Sequence, residues 1–310
     1  MVDIIMATYN GSKYIEQQID SIISQTYTNW RLYIRDDGST DNTVEIIKRY
    51  LKKYKNKIIL IEDEKKGLGS KMNFAELMKY VESDYCMFAD QDDFWLEDKV
   101  EVSLKKMKEL ENKLIDKPIL VHSDLKVVDE NLNIINESFF KYQNINPEHN
   151  KLNNLFVWNT VTGCTAMLNR ELIRLCKNIP ENCVMHDWWI ALVASSMGMI
   201  YTIRDQTILY RQHSNNTLGA VGYEKKINIS RVLDKIKNGK YTNYFNDIFK
   251  QVESFYLQYN NVLPKYNKEL TEKFIKLKKQ NLLQRKISVI KNNFNTGKIK
   301  KYDLTFLFYV

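Results

Sequence analysis

An apolar run, Tyr85-Cys86-Met87-Phe88-Ala89, ends in Asp90-Gln91-Asp92-Asp93 and resumes as Phe94-Trp95. It reads as a buried strand with carboxylates gathered at its carboxyl end. Three Asp in four positions repel one another unless a positive charge sits among them. A hard divalent cation meets that need, because carboxylate oxygens suit Mg²⁺ and Mn²⁺, and such sites are usually completed by substrate phosphates. The plainer alternative is an acidic turn capping the next helix. A second acidic pair, Asp36-Asp37, follows an earlier strand and leads through Gly38-Ser39 into a helix carrying Val44, Ile46, Ile47 and Leu51. Gly38 permits a sharp turn, Asn42 and Glu45 have capping-box spacing, and Asp41 reads as helix-start chemistry. Ligands of parallel α/β sheets bind outside the carboxyl ends of the strands. Both clusters are therefore expected to face one crevice, one gripping a base or ribose and the other a metal and diphosphate.

The spacing predicts strands over 2–7, 31–35, 58–62 and 85–89, alternating with helices over 13–24, 42–54, 71–81 and 96–110. Such alternation implies a parallel, doubly wound sheet. Beyond 116 the pattern is less regular. It suggests a strand over 119–122, a hairpin of 125–128 with 131–134, an apolar run over 164–168, a helix over 186–197, and strands over 200–203 and 207–211. From about Tyr223 long helices rich in Lys, Asn and aromatics take over, so a boundary is placed near Gly222. This gives a catalytic domain over 1–222 and a basic helical region over 223–310.

The 310 residues are 44% apolar, enough for a substantial core. Cys86, Cys164, Cys176 and Cys183 lack C-x-x-C spacing, and three of them sit in apolar contexts that suit buried thiols in a reducing compartment. The first strand begins at Val2, so no signal peptide is expected, and no apolar run nears the roughly 18 residues of a membrane span. These features imply a cytosolic protein. The net charge of +8 hides a split: residues 225–310 carry +13 and the rest −5. A basic tail suits an anionic partner, either nucleic acid or a membrane surface.

Further candidates lie at the ends of elements. Thr8-Tyr9-Asn10-Gly11 follows the first strand and shares the edge of both acidic clusters. Gly67-Leu68-Gly69-Ser70-Lys71 opens a helix and could approach a phosphate, although a plain turn explains it as well. His186-Asp187-Trp188-Trp189 begins a helix; Asp187 either complements the helix dipole or acts as a general base in a crowded, partly apolar site. In Tyr210-Arg211-Gln212-His213, Arg211 could hold a phosphate, and His213 suits a lid or a metal ligand. Neither G-x-G-x-x-G nor a Walker A loop is present, which weighs against dinucleotide dehydrogenases and P-loop NTPases.

Ala7-Thr8-Tyr9-Asn10, Asp36-Asp37-Gly38-Ser39, Asp90-Gln91-Asp92-Asp93, Thr162-Gly163-Cys164 and His186-Asp187-Trp188-Trp189 occur in this order. Across about 1–222 the chain thereby resembles family-2 glycosyltransferases of the GT-A fold. Asp-Gln-Asp-Asp-Phe-Trp, Met-His-Asp-Trp-Trp and Leu-Tyr-Arg-Gln-His look, more narrowly, like bacterial rhamnosyltransferases of cell-wall polyrhamnose synthesis. The resemblance implies an α/β mixed sheet with helices on both faces and a basic C-terminal helical appendage. It implies an inverting transfer from a nucleotide sugar, best read as dTDP-rhamnose, with Mn²⁺ or Mg²⁺. Thr8, Tyr9, Asn10, Asp37, Lys71, Asp90 and Arg211 would surround the nucleotide, with Asp37 accepting N3–H of uracil or thymine. Asp92 and His213 would hold the metal, though the four-residue acidic motif also leaves Asp90 and Asp93 open as ligands. Asp187 would deprotonate the acceptor, a saccharide on a polyprenyl-diphosphate lipid at the inner membrane face.

The tail fits that setting independently. Lys273, Lys276, Lys278, Lys279, Arg285 and Lys286 interleave with Phe274, Ile275, Leu277, Leu282, Leu283, Ile287 and Ile290, as in an interfacial helix. The alternative is a solvated basic helix packed on the catalytic domain. Leu304–Val310 is apolar but too short to span. An oligomer is compatible with all of this. Competing classes are transfer from a UDP-sugar, a metal-dependent nucleotidyl- or phosphotransferase on the same Asp cluster, and a nucleic-acid binder stacking bases on Tyr241, Tyr244, Phe245 and Phe249. The acidic front and the lack of a nucleic-acid motif oppose the last.

Overall fold

A computed structural model describes residues 1–214, 216, 219, 220 and 240–296, with the side chains of 240–242 outside the description. The boundary near Gly222, the side chain of Tyr241 and the segment Leu304–Val310 all lie outside the described residues. The first half alternates as its periodicity requires: β1 (Val2–Thr8), α1 (Ile15–Ile23), β2 (Trp30–Asp36), α2 (Thr43–Lys53), β3 (Ile58–Ile61), α3 (Gly69–Leu77), β4 (Tyr85–Asp90), β5 (Phe94–Trp95) and α4 (Lys99–Glu111). β6 (Ile119–Val128), β7 (Ile134–Asn136) and three short helices, α5 (Phe139–Tyr142), α6 (Leu152–Leu155) and α7 (Arg170–Leu175), follow, with β8 (Met167–Asn169) between the last two. Then come α8 (His186–Met197), β9 (Met199–Arg211), α9 (Lys240–Tyr259), α10 (Lys265–Lys276) and α11 (Leu282–Lys291).

The strands form one mixed sheet in the order β3-β2-β1-β4-β8-β6-β9-β5, with β7 beside β6. β1 to β4 are parallel, and their register puts Thr8 opposite Asp36 and Ala7 opposite Asp90. Both acidic clusters therefore leave the sheet at one edge. β8 runs antiparallel to β4, so the turn before it, Gly163–Thr165, returns to that edge. β5 pairs with β9 through Phe94 and Leu209, which brings the residues after Arg211 back to the acidic turn.

Two apolar cores lie on the two faces. One contains Ile15, Ile19, Ile47, Val100 and Met107 of α1, α2 and α4. The other gathers α3, α6, α7 and α8 and continues into Phe249, Phe255, Tyr259 and Phe274 of α9 and α10. Trp189 lies 5.9 Å from both Phe255 and Tyr259, and Phe156 lies 4.9 Å from Phe274, centroid to centroid. At roughly 1.5–3 kcal/mol per buried large side chain, this seam holds α9 and α10 on the catalytic core rather than beside it. Phe245 and Phe249 are buried there, so neither is a platform for stacking bases.

The structure corrects four details. The expected strand 119–122 and first hairpin arm are one strand, β6, and the runs 200–203 and 207–211 are one strand, β9. Both cross an irregularity around Asp124, whose buried carboxylate accepts from the Leu125 and Phe140 N–H groups and the Ser138 hydroxyl. The second hairpin arm is β7, starting at Ile134 rather than 131. Asn42 makes no side-chain cap on α2; Asp41 instead accepts from Thr43 N at 3.0 Å and from Ser12 N at 3.1 Å, tying the helix start to the β1 loop.

Candidate functional site

Asp37 sits just past β2 and is buried. Its Oδ1 accepts from Leu68 N at 3.0 Å and from Arg35 Nη1 at 3.3 Å, and its Oδ2 from Gly69 N at 2.8 Å. The loop that supplies those N–H groups bends through Gly67 and Gly69, both at positive φ. A carboxylate has about four lone-pair sites, so one stays open for a ring N–H. Arg35 is buried too. It forks onto Asp63 at 2.8 and 2.9 Å and bonds Asn73, and it holds the Asp63 carboxyl below the usual range. Asp36 turns inward, accepting from Thr8 Oγ1, Gly38 N and Ser39 N.

The β1 loop is clamped to the acidic turn. Gln91 Oε1 accepts from Tyr9 N and Gln91 Nε2 donates to Tyr9 O, both at 2.9 Å. A Cβ on Gly11 would fall 2.2 Å from Gln91 Oε1, so only glycine allows this clamp. Tyr9 is exposed, and Asn10, at φ 48°, accepts from Thr40 N. The Thr8 side chain is buried against Asp36, whereas Tyr9 and Asn10 are exposed at the same edge.

Asp92 Oδ2 lies 2.8 Å from His213 Nε2, and the imidazole stacks on Tyr14 at 4.9 Å. Carboxylate oxygen and imidazole nitrogen converge there, both only partly exposed, which is a donor set that fits Mn²⁺ or Mg²⁺. The Arg211 guanidinium is engaged within the protein. It is buried, donating Nε to Asp92 O at 2.8 Å, Nη1 to Glu130 O and Nη2 to Gln17, with the guanidinium 4.5 Å from the Tyr14 ring centre. It is the strut that fixes the end of β9 to the acidic turn. Lys71 Nζ donates to the Glu181 and Cys183 carbonyls, stapling the loop ahead of α8.

Asp187 is the second residue of α8. Oδ2 accepts from Gly163 N at 3.1 Å and Oδ1 from Trp188 N at 2.6 Å. Burial pushes its carboxyl up to about 6, against those two bonds. His186 packs between Phe74 and Phe88 at 4.3 and 5.3 Å, has no hydrogen-bond partner, and is driven down to about 3 by burial, so it stays neutral. Asp90 is raised to about 7, first by burial and then by the charges of Asp92 and Asp187. That coupling places both acidic centres around one space. Asp93 is fully buried, with a carboxylate oxygen within 4.8 Å of one of Asp90.

Arg35, Asp63, Tyr14, Gln91 and Lys99 also shape this site. In the sequence they read as strand, turn and helix residues; a charged residue inside an apolar strand, as Arg35 is, was the one available signal.

Parallel strands ending in acidic turns, an Asp–His pair and a partly buried Asp at a helix start thus lie along one edge of the sheet. Residues 3–175 match the family model Glycosyl transferase family 2, and the chain belongs to that family. It is a glycosyltransferase whose donor is a nucleotide sugar. The dTDP-rhamnosyl transferase RfbG of Shigella flexneri is 31% identical over 226 residues, covering 69% of this chain and 74% of the relative. The UDP-Glc:alpha-D-GlcNAc-diphosphoundecaprenol beta-1,3-glucosyltransferase WfgD of Escherichia coli is 30% identical over 175 residues, 56% of this chain and 62% of its own length. The structure of S. aureus TarS 1-349 with UDP-GlcNAc has the same fold, at TM-score 0.58 and 15% identity, covering 99% of this chain and 88% of that one. A Pyrobaculum calidifontis mannosyltransferase with GDP-Man and Mn²⁺ aligns at TM-score 0.51 and 15% identity, over 94% and 72%.

Proposed function

We propose that the chain transfers L-rhamnose from dTDP-rhamnose, with inversion, to a saccharide hydroxyl carried on a polyprenyl-diphosphate lipid. The observation carrying this reading is the convergence of Asp187 with the Asp92–His213 pair at the sheet edge that Asp37 closes. Identity to RfbG favours dTDP-rhamnose, and identity to WfgD favours a lipid diphosphate acceptor. The open acceptor site of Asp37 takes N3–H of thymine, and Tyr9 and Asn10 flank the nucleoside. Asp90 faces the ribose and sugar. Asp92 and His213 would hold Mn²⁺ or Mg²⁺, which would supply positive charge to offset that of a departing diphosphate. Asp187 accepts the acceptor hydroxyl proton as the new C–O bond forms at the anomeric carbon and the bond to the diphosphate breaks.

Calorimetry of dTDP and UDP, each with and without Mn²⁺, tests the reading. Metal-dependent binding preferring dTDP is expected, weakened more than about tenfold by Asp92→Asn or His213→Ala. A UDP preference would replace rhamnose as the sugar, and unchanged metal dependence in Asp92→Asn would remove its role.

A further inference from the structure

The loop 176–185 between α7 and α8 forms neither helix nor strand, and it leads straight into Asp187. Such a segment must find partners for its backbone groups outside any ladder. Here side chains from two elements distant in sequence supply them. From α9, Gln251 Oε1 accepts from Val184 N at 2.8 Å, Gln258 Nε2 donates to Asn178 O at 3.0 Å, and the Tyr259 hydroxyl donates to Leu175 O at 2.8 Å, at the end of α7. From α3, Lys71 Nζ donates to Glu181 O at 2.7 Å and to Cys183 O at 2.8 Å. Gln251 has no exposed surface and sits at helical spacing from Ile248 and Phe255, both in the core. A buried amide costs free energy unless it is bonded. Its Nε2 has no partner, so the bond to Val184 is what this amide contributes. Val184 lies three residues before Asp187. The intervening Met185 is extended and gives α8 no side-chain cap, so the chain that enters the helix sets the direction of its first turn.

We propose that Gln251 and Lys71 are positioning residues for the transfer reaction. From the C-terminal region and from α3, they clamp the two sides of the loop whose end decides where Asp187 meets the Gly163 N–H. The C-terminal helices then belong to the machinery that activates the acceptor, and are more than an appendage to it. Gly69, at the start of α3, donates its N–H to Asp37, so Lys71 ties the loop to the same helix that closes the nucleotide edge. This inference rests on the reading of Asp187 as the base.

Gln251→Met keeps the volume and removes the acceptor. It should lower kcat about tenfold or more, as displacement of a reacting group does, with donor KM and Mn²⁺-dependent dTDP affinity unchanged. Hydrogen exchange, measured without substrate, should quicken at the Val184 and Gly163 amides. Tyr259→Phe is the control for mere loosening. It removes a buried bond from the same helix at the far end of the loop, keeps the ring against Trp189, and should lower the urea midpoint while kcat holds. Unchanged kcat in Gln251→Met, an equal kcat loss in Tyr259→Phe, or exchange that quickens at Val184 but not at Gly163 would each overturn the proposal. Should Gln251→Met not fold, Lys71→Met carries the test from a partly exposed position. A fall in kcat at constant dTDP affinity supports the clamp, and a loss of dTDP affinity at constant kcat refutes it. If Asp187→Asn turns over normally, the base reading fails alone, because the exchange measurement needs no turnover.

Discussion

The proposed role of Asp187 asks a carboxylate to ionise in a site that disfavours its charge. Burial raises its carboxyl to about 6, so the ionised form that the proposed base role requires fills as pH rises through that value. Transfer by the wild-type enzyme should show an acid limb near there. The stability effect has the opposite sign. The group binds its proton more tightly folded than unfolded, so its stabilising contribution is complete below about 4 and is lost as pH rises through about 6. At neutral pH the carboxylate is thus a cost, on the order of 1–3 kcal/mol. Asp187→Asn is expected to cut kcat/KM by about 10²–10⁴ while raising the urea midpoint at neutral pH and leaving it nearly unchanged near pH 4. Pre-steady-state turnover and unfolding curves at the two pH values check both halves; equal midpoints at neutral pH would show that the site does not strain the ionised form. The place of this residue at a helix start was legible from His186-Asp187-Trp188-Trp189. The interior positions of Thr8 and Arg211 were not, because a motif marks an edge without showing which side chains turn under it.

The turn Gly163–Thr165 and the start of α8 form the unit that aims this base. A Cβ at Gly163 would lie 3.0 Å from His186 Nε2 and 3.3 Å from Asp187 Cβ. His186 cannot yield, being held between Phe74 and Phe88. Gly163→Ala must therefore push the turn away from the helix and lengthen the Gly163 N–H bond to Asp187. Misplacement of a reacting group by about 1 Å costs up to about 10²-fold, so kcat should fall by about 10- to 100-fold. Donor KM should hold, since the Asp92–His213 pair stands on other elements; steady-state kinetics in donor would separate the two, and a loss confined to KM would reassign the turn to nucleotide binding. At this scale the sequence was informative where burial is uniform. β1 to β4 and α1 to α4 declare themselves through apolar runs, interrupted only at Asp3, Arg31 and Arg35, and through helical stripes. β6 and β9 read as fragments because Ser123, Asp124 and Asp205 interrupt their apolar runs. Inside the fold the Ser123 and Asp124 polar groups are satisfied, by Thr207 and by Ser138, so the strands continue. Helices of four to six residues, α5 to α7, hold too few positions for a period to show.

Across the whole molecule, the basic tail divides in a way composition could not reveal. Phe274 and Leu277 of the expected amphipathic stripe are buried on the catalytic core, whereas Leu282, Leu283, Ile287 and Ile290 are 53, 70, 56 and 71% exposed. Leu283, Ile287 and Ile290 follow helical spacing on one face of α11, next to Lys286 and Lys291 of the same helix. No helix among the described residues is long and apolar enough to cross a membrane. An aliphatic face rimmed by lysines suits the boundary of an anionic bilayer, where burial and charge add, and it would hold the enzyme near a lipid-linked acceptor. We therefore expect the protein to sediment with vesicles containing phosphatidylglycerol, less so as salt rises, and not with phosphatidylcholine alone. Leu283→Ser/Ile287→Ser/Ile290→Ser should weaken that binding at least about tenfold, roughly 1.4 kcal/mol, yet leave dTDP binding and transfer to a water-soluble acceptor intact, because these side chains touch nothing in the core. Equal vesicle binding by the variant would move the docking surface elsewhere. A wild-type chain that ignores anionic vesicles, but whose mass doubles with concentration unless the three residues are changed, would make the face a contact between two copies of the enzyme.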